Sequence, residues 1–422
     1  MPDPQADSEN PNPDKPIGPG QDPEAANISD PVSSSTKAVD KDSAGAQAKA
    51  TGIVSIAILC SRFLGLAREI ILNALFAGEK RKWLDCFVAA FRTPNMLRDM
   101  FAEGALSSAF VTTFSQKIEK EGEKSAWVLA QKMATLTTVF MSIVAILGVL
   151  LAPVLIRLLA FGWNNEHEDK IEFTILLARI MFPFIMIVSL SALAMGMLNA
   201  KRIFGPPALA SSFFNLGSII TGVSIGYMID PTFGKNALIA FAIGTLVGGL
   251  CQLGFQLPWV FKSGFKLVAD FRWKDSGVRK ILRLMWPAVI AGSAVQVNVL
   301  LNTIFASYCQ DGSIAWLSSS FRLMQLPLGI FGVAVAMVTL PAVSRAATEG
   351  ITPDFIKILS RGMRLVVFLT IPASIGLFIL ADPIISLVFE RGSFNEFDRQ
   401  MVGLALRYYA IGLAFYGGLK VV

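Results

Sequence analysis

The stretch MATLTTVFMSIVAILGVLLAPVLI, residues 133–156, runs for 24 residues without Asp, Glu, Lys or Arg. Residues 180–200, 203–229, 236–261 and 284–310 share this property. A helix needs about 20 apolar residues to cross the hydrocarbon core of a bilayer. All five stretches are long enough, whereas a membrane-embedded barrel would show short alternating strands. They predict an all-α polytopic membrane protein.

The composition of the whole chain agrees with this interpretation. Of the 422 residues, 53% are hydrophobic and only 16% are charged, against roughly 25% charged residues in soluble domains. Extending the pattern outward from the five stretches predicts about ten spans. They lie near residues 51–77, 84–116, 126–159, 172–200, 206–229, 236–261, 281–309, 313–344, 362–381 and 397–420.

Residues 1–50 differ from the rest of the chain, because they are rich in Pro, Asp, Ser, Ala and Gly. Such a segment cannot bury enough apolar surface to order itself. It also lacks the basic start and apolar run of a signal peptide. We therefore expect a disordered cytoplasmic tail over residues 1–50.

The basic residues of the loops orient the spans. Sixteen Lys and Arg lie in the loops within 117–124, 201–202, 262–283 and 345–364, against six in the alternate loops. Positively charged loops stay in the cytoplasm, so the pattern predicts a cytoplasmic N-terminus. This orientation also accounts for the net charge of +6 without nucleic-acid binding.

An internal repeat occurs at a spacing of 230 residues. Pro153 matches Pro383, Gly162 matches Gly392, and the pair Phe91-Arg92 matches Phe321-Arg322. Six predicted spans separate the copies, so both would have the same orientation in the membrane. Parallel repeats are a transporter arrangement, with a site expected between the two halves. The alternative is that short apolar motifs recur by chance.

Several arginines lie inside the predicted spans, where each charge costs at least about 2.5–3.5 kcal/mol on insertion scales. They are Arg62, Arg68, Arg92, Arg98 and Arg322. Such residues face a cavity or a partner. Residues seven apart lie on one face of a helix, so Arg62 could pair with Glu69, and Arg92 with Asp99.

By contrast, Arg68, Arg98 and Arg322 have no acid on the same stripe of their own helix. Surplus buried cations need a counter-anion, and the planar fork of arginine suits phosphate in particular. The pattern therefore predicts an anionic substrate. The alternative is a buried network of charges that only neutralise one another.

Span 2 also carries Pro94 at mid-helix and Gly104 ten residues later. Proline removes a backbone hydrogen bond and kinks a helix. Broken helices often mark the sites of transporters.

The sequence predicts neither a cofactor nor a metal site. Its four cysteines are far apart and its single histidine is His167, whereas a structural zinc site needs clustered ligands. Residues 122–125 (GEKS) lack the first glycine of a phosphate-binding loop. A membrane-bound transferase or phosphatase would need an acid–base cluster in a loop, and residues 164–169 (NNEHED) are the one candidate; we interpret them as a solvated loop.

Two stretches carry a family resemblance: residues 61–69 (SRFLGLARE) and residues 85–105 (DCFVAAFRTPNMLRDMFAEGA). Together they resemble the MurJ/MviN family of lipid II flippases, and the similarity extends over residues 51–422. The resemblance implies the two-lobed fold of the multidrug/oligosaccharidyl-lipid/polysaccharide exporter superfamily. Residues 51–262 would form the first lobe, 263–280 a cytoplasmic basic linker, and 281–422 an incomplete second lobe.

The resemblance also implies a substrate and a site. The substrate would be lipid II, the undecaprenyl-diphosphate-linked precursor of peptidoglycan, moved by alternating access across the bacterial inner membrane without covalent catalysis. Arg62, Arg68, Arg98 and Arg322 would line a central cavity and hold the diphosphate. The acids that gate or orient span 2 would be Asp85 and Glu103. Membrane lipid and cell-wall synthesis proteins would be its other partners.

Two departures from the family pattern stand out. Where many members have acids beside the arginine of span 8, this chain has Phe321 and Gln325. Family members have fourteen spans, so we expect a C-terminally truncated second lobe. The alternatives are a related polysaccharide-lipid or multidrug exporter, and a non-transporting scaffold paralogue.

Overall fold

The computed structural model describes residues 35–100, 106–163, 168–329 and 352–419. The regular structure of these residues is helical. The helices are α1 (Ser35–Phe76), α2 (Arg81–Arg98), α3 (Ser107–Glu121), α4 (Glu123–Leu159), α5 (Glu168–Met181), α6 (Phe184–Ala200), α7 (Gly205–Ile229), α8 (Ala237–Lys262), α9 (Ser276–Ser307), α10 (residues 313–329), α11 (Pro353–Ile379), α12 (Ala381–Phe389) and α13 (Glu396–Leu419).

The described part of each predicted span coincides with one helix or with a pair of helices. Span 2 falls on α2 and α3, and span 4 falls on α5 and α6. The break in span 4 lies at Phe182 and Pro183, where proline cannot donate the helical hydrogen bond. Proline does not break α2, which runs through Pro94 and ends at Arg98.

Six helical segments are long and apolar enough to cross a membrane, among the described residues. They are α4, the α5–α6 pair, α7, α8, α9 and most of α11. The remaining predicted spans fall on α1, α2–α3, α10 and α13. These helices carry more charge, and the cavity described below is built largely from them. Along α4, large apolar side chains such as Ile146 and Leu150 are exposed, as expected of a surface that faces lipid.

The helix α1 extends into the segment for which the sequence predicted disorder. It begins at Ser35, whereas residues 1–34 lie outside the described part of the chain. The prolines of the segment end at Pro31, and residues 35–50 include several Ala and Lys, which are good helix formers. The composition of the first fifty residues is thus not uniform, and helix begins where proline ends.

Buried apolar side chains form three main clusters. One cluster packs α2, α4, α5 and α8 around Phe76 and Phe241, and it includes Ile314 of α10. A second packs α3, α4 and α6 around Phe114 and joins them to the start of α9. The third holds α10, α12 and α13 together around Phe389. The first cluster therefore links the two predicted lobes at one end of the molecule.

The predicted linker is tied to the first lobe. Asp275 accepts a hydrogen bond from the backbone N–H of Gly277 and thereby caps α9. The same carboxylate lies 2.7 Å from the Nζ of Lys132 in α4. Gln131 donates to the carbonyl of Lys266. The segment before α9 is thus held against α4 by both charge and backbone contacts.

Candidate functional site

A cavity of about 540 Å³ lies between the lobes. Four arginines line it: Arg68 of α1, Arg92 and Arg98 of α2, and Arg322 of α10. Three of these are arginines that the family resemblance placed in a cavity, and Arg92 is a fourth. Asp99 is the one acid among the described residues of the lining.

Arg68 is the most deeply buried of the four, with 8% of its surface exposed. Its guanidinium carbon lies 5.5 Å from the ring centre of Phe91 and 5.2 Å from that of Phe214. Its buried Nε has no hydrogen-bond partner among the described residues. Aromatic faces attract a cation but accept no strong hydrogen bond, so the donors of Arg68 remain available to an anion.

The predicted pair of Arg92 with Asp99 is wrong. Asp99 instead accepts from the Nε and Nη2 of Arg98, at 3.1 and 2.8 Å. Arg92 makes no hydrogen bond or ion pair with any described residue, and its Nε is buried. Arg92 is therefore a cation without an acid partner among the described residues, whereas Arg98 is partly neutralised by Asp99.

The predicted pair of Arg62 with Glu69 is also wrong. The nearly buried Glu69 lies 3.2 Å from the Nε of Arg322 on α10, and it also accepts from the hydroxyl of Ser319. Arg322 donates to the carbonyl of Gly65 at 3.4 Å, where a side chain at position 65 would crowd it. Spacing along one helix could not reveal this partner, because it lies on another helix.

Arg62 is not among the residues that line the cavity. It donates instead to the backbone carbonyl of Gln325 at 3.4 Å. A Cβ at Gly329 would collide with its guanidinium, so glycine at 329 lets Arg62 pack against α10. In this structure Arg62 joins α1 to α10.

Among the described residues, the charges around the cavity do not balance. Four guanidinium groups face it, whereas the described acids in contact with them are Asp99 and Glu69. Two positive charges remain, and they belong to Arg68 and Arg92. Uncompensated buried charges are costly, and the described residues supply no counter-charge for these two arginines.

The lining also contains neutral polar side chains that were not among the site residues predicted from the sequence. They are Asn95, Ser211, Asn215, Gln252, Gln296, Ser318 and Gln325. A signal was present, since Asn215, Gln252 and Gln296 interrupt three of the five uncharged stretches. Polar residues at membrane depth are expensive unless they have a function or a partner.

At the other end of α1 and α2 the lobes are closed against each other. The carboxylate of Asp85 accepts from the backbone N–H groups of Gly312 and Ala315, at 2.6 and 2.8 Å. It thereby satisfies donors that the start of α10 would otherwise leave unpaired. Asp85 was predicted to gate or orient span 2, and its contacts connect α2 to the second lobe.

Two ion pairs accompany this contact. Lys170 lies 2.6 Å from Asp311, and Arg81 lies 3.5 Å from the fully buried Asp398. Asp398 also accepts from the N–H of Gly78 at 2.8 Å and from the indole N–H of Trp316 at 2.9 Å. We call Gly78, Arg81, Asp85, Lys170, Asp311, Trp316 and Asp398 the closure cluster.

The closure cluster follows the internal repeat. Arg81 and Asp311 are 230 residues apart, and each pairs with a residue of the opposite lobe. In both pairs the first lobe supplies the cation and the second lobe supplies the acid. The matching glycines of the repeat also contact the opposite lobe, since Gly162 packs on Ser307 and Gly392 packs on Ala74.

The remaining predicted residues fall elsewhere. Glu103 and Gly104 lie outside the described residues, as do residues 164–167 of the candidate enzyme loop. Glu168, a described residue of that loop, pairs with Arg157. In the described part of the chain no group of His, Cys, Asp and Glu could hold a metal ion.

Comparison with known proteins decides the family. Residues 73–422 match the family model described as lipid II flippase MurJ. The chain belongs to the MurJ family. A probable lipid II flippase MurJ of Vibrio cholerae serotype O1 is 36% identical over 378 residues, which cover 88% of this chain and 70% of that protein.

Solved structures agree with the MurJ assignment. The structure entitled lipid II flippase MurJ, inward closed conformation, is 28% identical and has a TM-score of 0.73, covering 87% of this chain and 74% of that one. An inward-facing MATE transporter of the MOP superfamily has a TM-score of 0.66 at 15% identity, covering 87% and 84%. The second match shows the fold alone, and it confirms the predicted two-lobed exporter architecture. With six apolar helical segments among its described residues, this MurJ family member is a multi-pass membrane protein.

Proposed function

We propose that this protein moves lipid II across the bacterial inner membrane by alternating access and performs no covalent catalysis. The observation that carries the proposal is the pair of unbalanced arginines, Arg68 and Arg92, in a cavity between the lobes. A diphosphate carries about the charge that this cavity lacks, and arginine binds phosphate oxygens in a bidentate manner.

Each cavity arginine has a distinct part in this proposal. Arg68 and Arg92 supply donors that no described residue uses, so they are the primary contacts of the diphosphate. Arg98 and Arg322 are held in place by Asp99 and Glu69, and they contribute their remaining donors. Arg62, assigned to the substrate by resemblance, is better supported as a contact that holds α1 against α10.

The orientation follows from the loop charges. The sixteen basic residues on one side support a cytoplasmic N-terminus. The closure cluster then faces the outer side, and the cavity receives the headgroup from the cytoplasm. During transport the contacts of Asp85, Lys170 and Arg81 with the second lobe would break, and the lobes would rock to release the headgroup outside.

The test is rescue of cells depleted of their own flippase, with lipid II exposed on the outer leaflet as the readout. We expect the protein to restore this exposure, and Arg68→Ala and Arg92→Ala to abolish it. Arg279→Ala is the matched control, because Arg279 is exposed at the start of α9 and lies outside the cavity. A membrane-inserted, intact protein that leaves the outer leaflet free of lipid II would overturn the proposal.

A further inference from the structure

The arginines of the cavity can satisfy only part of a glycolipid headgroup. A guanidinium donates hydrogen bonds and accepts none. Sugar hydroxyl groups and acetamido N–H groups are donors that need acceptors. The one carboxylate among the described residues of the lining, Asp99, already accepts hydrogen bonds from Arg98. Acceptors for a sugar must therefore come from neutral side chains.

Three helices supply such acceptors beside the arginines. Gln252 lies on α8, Gln296 on α9 and Gln325 on α10, and all three line the cavity. Ser211 and Asn215 of α7 extend this set, which we call the neutral wall. An amide offers both an acceptor and donors without a charge, so it can bind a sugar and does not neutralise Arg68.

The side-chain amides of Gln252 and Gln325 are unpaired within the described structure. Neither makes a hydrogen bond to another described residue, although Gln325 accepts from Arg62 through its backbone carbonyl. Gln256, one turn beyond Gln252 on α8, is in contrast buried and bonded to Ser191 at 2.6 Å. Of these two amides on α8, the one that lines the cavity, Gln252, is the one whose side chain has no described partner.

The size of the cavity also exceeds what a diphosphate needs. A volume of about 540 Å³ lies within the roughly 300–1,000 Å³ of pockets that hold drug-sized molecules. The sugar joined directly to the diphosphate must occupy the space next to it. In this cavity that space is bounded by the neutral wall.

We propose that Gln252 and Gln325 bind the sugar attached to the diphosphate and so distinguish the loaded lipid from the bare lipid diphosphate. This inference rests on the function proposed above and assigns a part of the headgroup to the neutral wall. The arginines would then bind the diphosphate, which all these lipids share, and the amides would bind the sugar, which only the glycosylated lipids carry.

The experiment measures binding of three lipids to the purified protein in detergent: lipid II, undecaprenyl diphosphate, and the same lipid carrying the disaccharide without the pentapeptide. We expect Gln252→Leu and Gln325→Leu each to weaken both glycosylated lipids about three- to tenfold, the effect of one hydrogen bond. Their affinity for undecaprenyl diphosphate should change less than twofold. Arg68→Ala should weaken all three lipids.

Gln400→Leu is the control, because Gln400 is an exposed amide outside the cavity, and it should bind like the wild type. Wild-type affinity of Gln252→Leu and Gln325→Leu for lipid II would overturn this inference alone. A loss of affinity confined to the lipid with the pentapeptide would also overturn it, since the neutral wall would then contact the peptide. Failure of the wild-type protein to bind any of the three lipids would overturn the proposed function instead.

Discussion

The arginine cavity and the closure cluster are both rich in charge, and they use it in opposite ways. In the closure cluster Lys170, Arg81 and the acids of the second lobe are matched, and the buried Asp398 accepts from several donors. In the cavity, Arg68 and Arg92 have no acid partner among the described residues. The two regions are joined by the same helices. Arg68 precedes the end of α1 at Phe76 by eight residues, or about 12 Å.

This difference distinguishes paired charges, which stabilise the contact between the lobes, from cations without a described partner, which are the candidates to bind an anionic ligand. A buried pair with good hydrogen bonds tolerates desolvation, whereas an unpaired buried charge does not. Among the described residues, the two cations without an acid partner lie in the cavity, whereas both ion pairs of the closure cluster join the two lobes. Four substitutions test this contrast, in order of decreasing expected effect.

The largest effect is expected at the centre of the closure cluster. Asp398→Ala removes the acceptor of Gly78 and Trp316 and the partner of Arg81, which should cost about 3–5 kcal/mol. Thermal unfolding in detergent would measure the loss. Glu396→Ala, an exposed acid of the same helix, should unfold within a degree or two of the wild type. Equal stability of both variants would contradict the structural role of the cluster.

The next effect is expected from turning the cavity into a region of matched charge. Ser211→Asp adds a carboxylate to the lining. If roughly 7 Å separates this carboxylate from one negative charge of the bound diphosphate, and the effective dielectric constant is about 20, the repulsion is about 2.4 kcal/mol. This repulsion would weaken binding about 50-fold. Binding of undecaprenyl diphosphate measures this, and Ser211→Asn is the neutral control of similar shape. Unchanged binding by the acidic variant would mean that the anion lies elsewhere.

A smaller effect is expected at the second ion pair of the closure cluster. Asp311→Asn removes the ion pair of the buried Lys170 and leaves its contact with the ring of Trp163, 4.0 Å away. We expect the closed state to lose about 1 kcal/mol, because Asp311 is partly exposed.

Cys86 provides the readout for that loss, since it is fully buried and its Sγ lies 3.6 Å from the carbonyl of Lys170. With Cys60, Cys251 and Cys309 replaced by serine, maleimide labelling of Cys86 should rise about fivefold. A labelling rate equal to that of the parent protein would show that this ion pair does not stabilise the packing of α2 and α5 around Cys86.

The smallest effect is expected at a pair outside both regions. Arg157 and Glu168 form a salt bridge whose side chains are 45% and 53% exposed. Exposed pairs contribute about 0–1 kcal/mol, so Arg157→Gln should change neither the unfolding temperature nor the labelling of Cys86 measurably. A large change would show that burial does not separate the important pairs from the others.

The sequence predicts the helices of this protein well and the partners of its charges poorly. Uncharged stretches mark α4 and α7–α9 because insertion in a membrane demands them. The pairs of Arg62 with Glu69 and Arg92 with Asp99 fail because spacing describes only one helix. Glu69 pairs instead with Arg322, on a helix that reaches α1 through the glycine at 65.

The most direct test compares one arginine from each region in a single binding assay. Undecaprenyl diphosphate would be titrated into the purified wild-type protein, Arg68→Ala and Arg81→Ala. We predict that Arg68→Ala binds at least tenfold more weakly, because it loses a charge-assisted contact with the diphosphate, and that Arg81→Ala stays within about threefold of the wild type. An equal loss in both variants, or full affinity of Arg68→Ala, would contradict the division of charges between the cavity and the closure cluster.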